Sequence, residues 1–158
     1  MRTITIIRFL ALASMALLLS CLSGRPIAES GAVAQGQDLG SFAISSKMFG
    51  DQTFAPKACT AGDRQLFLGA DLEGQGSPLV LRLVVDPLEG PAVRLFSSDA
   101  QFDKSVVFHR SDCKVFHFSL DSTGWRINDY NDYSFTLQLE CAKAGESIGG
   151  SASSTHCH

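Results

Sequence analysis

The most regular pattern in the chain lies near its end. Phe135, Leu137, Leu139 and Cys141 alternate with Ser134, Thr136, Gln138 and Glu140, the period of two that a strand with one buried face requires. Ala144-Gly145-Glu146 predicts a turn, and the chain then returns as a small-residue strand ending in Cys157. With the turn centred near Gly145, residues whose numbers sum to about 290 face one another in the hairpin. Cys157 therefore shares the buried side with Phe135 and Cys141.

Upstream, Ser41–Ser45 alternates briefly and predicts a first strand, whereas Lys47–Thr60, with Gly50, Asp51, Pro56 and Cys59, reads as loop. Arg64–Leu72 sets Leu66, Leu68 and Ala70 on one side against Phe67 and predicts a second strand. Glu73–Pro78 is turn chemistry. Leu79–Val85 is almost continuously apolar and β-branched at its end, which suits a central strand. Asp86–Pro91 turns the chain and Ala92–Phe96 returns it; Pro87 and Pro91 bar any helix there. After a polar loop at Ser97–Lys104 come strands at Ser105–His109 and Cys113–Leu120, the latter with Phe116, Phe118 and Leu120 inward. Neither Ser97–Lys104 nor Cys141–Ser147 carries the apolar spacing of a helix. Seven to eight short strands with Gly/Pro turns predict an all-β fold, an antiparallel β-sandwich of immunoglobulin-like layout over residues 38–158.

The first 20 residues do not belong to that pattern. A basic start with Arg2 and Arg8, an apolar run from Phe9 to Leu19 and a small residue at Ser20 read as a signal peptide. The run is short of the ~20 residues that a membrane-spanning helix needs. Leu18-Leu19-Ser20-Cys21 resembles the bacterial lipobox, in which the cysteine is acylated and becomes the new N-terminus. This predicts a lipid on Cys21 as the membrane contact; the competing expectation is plain secretion, cleaved after Ala32-Val33-Ala34. Residues 21–37, rich in small, polar and Pro/Gly residues, read as a flexible tether.

Charge narrows the partners. The formal net charge is −3, and removal of a leader carrying Arg2 and Arg8 leaves 11 basic against 16 acidic side chains. A mildly acidic domain without a Lys/Arg cluster lacks the footprint of a nucleic-acid binder.

Besides Cys21, four cysteines remain, Cys59, Cys113, Cys141 and Cys157, an even count that predicts two disulfides in an exported chain. Cys113 and Cys141 would lie opposite one another if their strands pair around the intervening segment. Strand parity opposes that pairing, because Cys141 is in phase with the core residues of its strand and Cys113 is out of phase with Phe116 and Phe118. The reading favours Cys59–Cys141 with Cys113–Cys157. Each would contribute roughly 3–5 kcal/mol on a chain-entropy basis.

Candidate chemistry concentrates in Asp121–Tyr133, which reads as a loop longer than a hairpin needs. Trp125, Tyr130 and Tyr133 offer flat faces to a sugar or an apolar side chain. Asp121, Asn128, Asp129, Asn131 and Asp132 offer polar contacts or oxygen ligands for calcium. The spacing departs from the calcium-loop pattern, and no glutamate closes it. The sober alternative is a packed edge loop with Trp125 as its cover and Asn/Asp side chains forming turns. His156-Cys157-His158 suggests a metal triad, but on one strand His156 and His158 share a face that Cys157 does not. The expectation is therefore no metal and no cofactor, with Cys157 in a disulfide and His156 and His158 as ordinary terminal residues. His109 and His117 stand singly in strands. Gly150–Ser154 is not a nucleophile elbow, the Asp129/Asp132 pair shows no sign of separated pKa values, and the Gly-rich 145–150 stretch precedes no helix. No enzyme is expected.

Cys21 at the lipobox, Cys59-Thr60-Ala61-Gly62 before Gln65–Gly69, the Phe135–Cys141 strand and the ending Gly149-Gly150-Ser151-Ala152…His156-Cys157-His158 resemble small uncharacterised lipoproteins of Gram-negative bacteria. More distantly, the chain is similar to the short mycobacterial surface lipoprotein antigens, which lack the Cys113/Cys157 pair and the Trp125 segment. The resemblance implies a disulfide-bonded β-sandwich on a lipid anchor at the cell envelope, without an established enzymatic activity. The expected role is a structural or protein-interaction module. The alternative is a secreted carbohydrate- or calcium-binding domain using residues 121–133.

Overall fold

The computed structural model describes residues 39–99 and 104–158. The signal peptide, Cys21 and the tether expected over residues 1–37 lie outside the described residues, as does part of the 97–104 loop.

Ten strands form two five-stranded antiparallel sheets. The first contains β1 (Gly40–Ser45), β2 (Gln52–Phe54), β8 (Cys113–Ile127), β9 (Tyr130–Lys143) and β10 (Glu146–Cys157), in the order β2-β1-β10-β9-β8. The second is β3 (Pro56–Ala61), β4 (Gly69–Gly74), β5 (Leu79–Asp86), β6 (Gly90–Ser97) and β7 (Ser105–His109), in sequence order. The two layers are the expected sandwich. The chain changes sheet between β2 and β3 and again between β7 and β8; within each sheet neighbours are consecutive in sequence except where β1 lies beside β10, so the layers are built from meanders rather than the Greek key of an immunoglobulin domain. Among the described residues there is no α-helix, and no helix long and apolar enough to cross a membrane.

One core fills the space between the sheets. Phe42, Ile44, Phe116, Phe135, Leu137, Leu139 and Ile148 face Leu72, Leu81, Leu83, Val93, Leu95 and Phe108 across it. Burying each such side chain contributes about 1.5–3 kcal/mol. The terminal hairpin turns on Ala144 and Gly145, both with positive φ, and pairs Lys143 with Glu146 and Leu137 with Ala152, as its alternation predicts. Gly150 (φ +149) lets β1 approach β10 closely: a Cβ there would meet the Ser41 carbonyl oxygen at 2.1 Å.

The structure corrects four further sequence expectations. Lys47–Thr60 is not all loop, since β2 and most of β3 lie within it, which helps raise the strand number to ten. Arg64–Leu72 is not one strand: a 3-10 turn spans Gly62–Gln65, and Leu66 adopts φ 63°, ψ 35° before β4 begins at Gly69. The Leu66/Leu68 alternation imitates a strand but belongs to a turn closed by Phe67 N–H on the Gly62 carbonyl at 3.1 Å. Asp121–Tyr133 is not a loop: β8 and β9 extend through it to a two-residue turn at Asn128-Asp129, φ 52° and 69°.

The fourth correction is the disulfide pairing, which is Cys59–Cys157 and Cys113–Cys141. The parity argument against Cys113–Cys141 assumes an unbroken strand. A bulge between Cys113 and Val115 shifts the register by one, so that Cys113 sits opposite Cys141 while Val115 sits opposite Glu140. A second bulge, between Ser154 and Cys157, sets Cys157 opposite Tyr133 on the buried side, where it links β10 to β3 of the other sheet.

Candidate functional site

The outer end of the β8–β9 hairpin is shaped by a wide irregularity. Between the pairs Ser122↔Tyr133 and Arg126↔Asn131, three residues of β8, Thr123, Gly124 and Trp125, oppose the single residue Asp132. Gly124 takes φ +80°, and the displaced strand leaves Trp125 71% exposed. Thr123 is turned back, donating its hydroxyl to the Asp132 carboxylate at 2.7 Å.

Asp132 is the one fully buried acid (0% exposed) among the described residues. Besides Thr123 it receives the Cys157 backbone N–H at 3.0 Å and faces His156 Nδ1 at 2.8 Å, with His158 Nδ1 at 3.5 Å. Burial opposes its charged form, but hydrogen bonds from His156, Thr123 and the Cys157 amide outweigh burial and hold the carboxyl below the usual carboxylate range. A buried acid with three donors is a tie between the hairpin and the end of β10, and its oxygens are occupied. His156 and His158 share a face, as strand parity requires, but they are not ordinary terminal residues, because both reach Asp132. Only the neighbouring Cys157 marks this arrangement in the sequence.

On the opposite face of β9, Asn131 and Tyr133 point to Asp63 in the 3-10 turn. Asn131 Nδ2 donates at 2.6 Å and the Tyr133 hydroxyl at 3.1 Å. Burial, then the Asp63 bond and charge, push the Tyr133 phenol above its ordinary value, while Asn131 acts the other way. The doubled Asn-Asp-Tyr triplet thus divides its labour. Its first copy makes the turn, and its second grips Asp63 with Asn131 and Tyr133 and the β10 end with Asp132.

The turn held by Asp63 is fixed from its other side as well. Arg82 pairs with the buried Asp71 at 2.8 Å, bonds Gln65 Oε1, and lies over the Phe67 ring at 4.3 Å. Gln65 Nε2 also donates to Asp71 at 3.0 Å. Leu66, 95% exposed, and Leu68, 50% exposed, are therefore carried on a rigid base. They border an open cleft of about 460 Å³ with Asp63, Arg126, Asp129, Tyr130 and Asn131. Arg64 lies over the Tyr130 ring at 5.1 Å, and Arg126 Nη2 donates to the Asp129 carbonyl at 2.6 Å.

Of the residues singled out in the sequence, Asp129, Tyr130 and Asn131 line this cleft, and Trp125 lies in the bulge, exposed and outside its lining. Asp132 and Tyr133 are supports. A calcium arrangement built on Asp129 and Asp132 is not assembled, because Asp132 is enclosed with its donors. Among the described residues no group of three or more His, Cys, Asp or Glu side chains is placed to hold a metal ion. Sequence reasoning missed Asp63, Arg64, Leu66, Leu68 and Arg126. The signal that would have found the first four is Gly62-Asp63, turn chemistry set before the apparent strand. No protein-family model, curated protein or solved structure matches the chain.

Proposed function

We propose that this protein is an exported interaction module of the bacterial envelope, held by a lipid on Cys21, that binds another envelope protein through the Leu66–Leu68–Tyr130 platform. Two disulfides suit an oxidising compartment outside the cytoplasm. The leader and lipobox pattern of residues 1–21 supports the anchor. The observation that carries the binding role is Leu66. A leucine with positive φ costs about 1–3 kcal/mol of backbone strain, and here that strain holds a fully displayed apolar side chain beside Leu68 and Tyr130. Apolar clusters on a fixed base are what partner proteins bury, since little ordering is left to be done on contact.

Site-specific photo-crosslinking in the cell envelope tests the reading. A photoreactive residue at Leu66 or Tyr130 is expected to give a discrete adduct that the same residue at Leu88, equally exposed in the β5–β6 turn, does not give. Equal labelling at all three positions, or at none, overturns it. A sugar remains the second reading because Trp125 and Tyr130 present aromatic faces. Glycan-array binding that is lost in Trp125→Ala with the fold intact would transfer the function to it. The intact mass of the mature protein from membranes tests the anchor: acyl chains on an N-terminal Cys21 are expected, and a soluble product starting beyond Cys21 removes it.

A further inference from the structure

The two sheets have four edges, and three are blunted. β2 is three residues long, β7 is five, and β3 opens at Pro56 with a bulge before Ala58. β8 is different. From Val115 to Ser122, eight consecutive residues keep unbroken register against Glu140–Tyr133, with no Pro or Gly among them. Among the described residues β8 pairs with β9 alone. An eight-residue edge in continuous register, between the bulges at its two ends, is a template for another strand.

The side chains along this edge indicate which strand. Phe116 is buried, Phe118 and Leu120 on the same side are only partly covered, and His117 and Asp121 project from the outer side, exposed. The His117 imidazole and the Asp121 carboxylate have no hydrogen-bond or ion-pair partner among the described residues. We propose that β8 is a self-association edge, to which a second copy of this chain adds antiparallel about a two-fold axis at Ser119. Directly opposed residues in an antiparallel pair share a face, so the axis must pass through a residue rather than between two. With the axis at Ser119, His117 of each copy meets Asp121 of the other, Ser119 meets Ser119, and Phe118 meets Leu120. An axis at Phe118 sets Asp121 against Val115; one at His117 sets it against Cys113; one at Leu120 sets it against Ser119. Only the Ser119 axis pairs His117 with Asp121 and covers both half-buried apolar side chains. The inference is independent of the Leu66 platform.

The register makes the test specific. In the full chain, exported with its own leader, Ser119→Cys is expected to give a disulfide-linked dimer on non-reducing gels. Val115→Cys and Asp121→Cys, whose partners across the axis are other residues, are expected to give at least tenfold less. In sedimentation of the purified protein, His117→Asp sets acid against acid twice and is expected to raise the dimer dissociation constant at least tenfold, whereas His117→Asp with Asp121→His restores it. Unchanged thermal midpoints confirm that these substitutions leave the fold intact. A protein that sediments as a monomer with no Ser119→Cys link overturns the proposal, and so does linking at Asp121→Cys equal to that at Ser119→Cys. Failure of the paired exchange to restore association also refutes the register.

Discussion

Asp132 offers the sharpest test of how this end of the molecule is held together. Replacing it with alanine removes the carboxylate that three donors share. The Cys157 amide loses a buried acceptor, the half-buried Thr123 hydroxyl keeps only the residue-132 backbone carbonyl at 3.2 Å, and His156 can turn to water. A buried donor left unpaired costs roughly 1–3 kcal/mol, and bonds to a charged acceptor contribute about 1.5–3 kcal/mol. Asp132→Ala is therefore expected to destabilise by about 3–5 kcal/mol. Asp132→Asn keeps the shape and one carbonyl acceptor for the Cys157 amide, losing about 1–2 kcal/mol of charge-assisted bonding. The pH dependence follows from the direction of the shift. The folded carboxyl titrates below its unfolded value of about 3.9. Its contribution is thus complete above about pH 5 and is lost as pH falls through the unfolded and then the folded value. The gap between wild type and Asp132→Asn should narrow from pH 7 to pH 3. Urea unfolding followed by far-ultraviolet circular dichroism, with disulfides intact, measures it. An alanine cost under about 1 kcal/mol at pH 7, or a wild type–asparagine gap unchanged at pH 3, would refute the account.

The remaining predictions concern the staples and the platform. Non-reducing peptide mapping should return Cys59–Cys157 and Cys113–Cys141 and no other pair. Closing 98 residues against 28, the first should contribute about 4.7 and the second about 3.6 kcal/mol on chain-entropy grounds, so Cys59→Ala/Cys157→Ala should lower the urea midpoint more than Cys113→Ala/Cys141→Ala. Leu66→Gly should stabilise the fold by up to about 1 kcal/mol, because glycine takes positive φ without strain and a 95% exposed side chain loses no packing. The same substitution should abolish the position-specific envelope adduct at Tyr130, and a loss of stability instead would mean that Leu66 is a packing residue.

Where the sequence was legible, the reason is that packing and alternation agree. Leu79–Val85 and Phe135–Cys141 are strands with the burial their side chains announce, and the terminal hairpin keeps its forecast register to within one residue. Where it was not, a local irregularity changed the phase. The bulge after Cys113 reverses the parity on which the disulfide argument turned. The three-against-one mismatch at Asp132 hides two paired strands inside what reads as a polar loop. Leu66 and Leu68 show the complementary failure: their spacing is that of a strand, but Asp63 is held by Asn131 and Tyr133, some seventy residues away in sequence. Contacts of that range decide the platform, and no pattern within the 62–68 segment encodes them.

The pairing of β1 with β10 brings Gly40 to Ala152, so a reduced chain must close a loop of roughly 110 residues to make it. The Cys59–Cys157 bond offers a shorter path between the same two residues, roughly 25 residues measured through the crosslink. Closure entropy rises as 1.5RT times the logarithm of loop length, so the bond makes this encounter easier by about 1.3 kcal/mol, roughly ninefold in rate. Oxidation before β1 docks therefore produces a chain that completes its first sheet quickly, and β2 follows on the same hairpin. Oxidation after docking leaves β10, twelve residues long, as a second bare edge for that interval. The order of thiol oxidation and strand docking thus governs how long the immature protein presents two open edges rather than one.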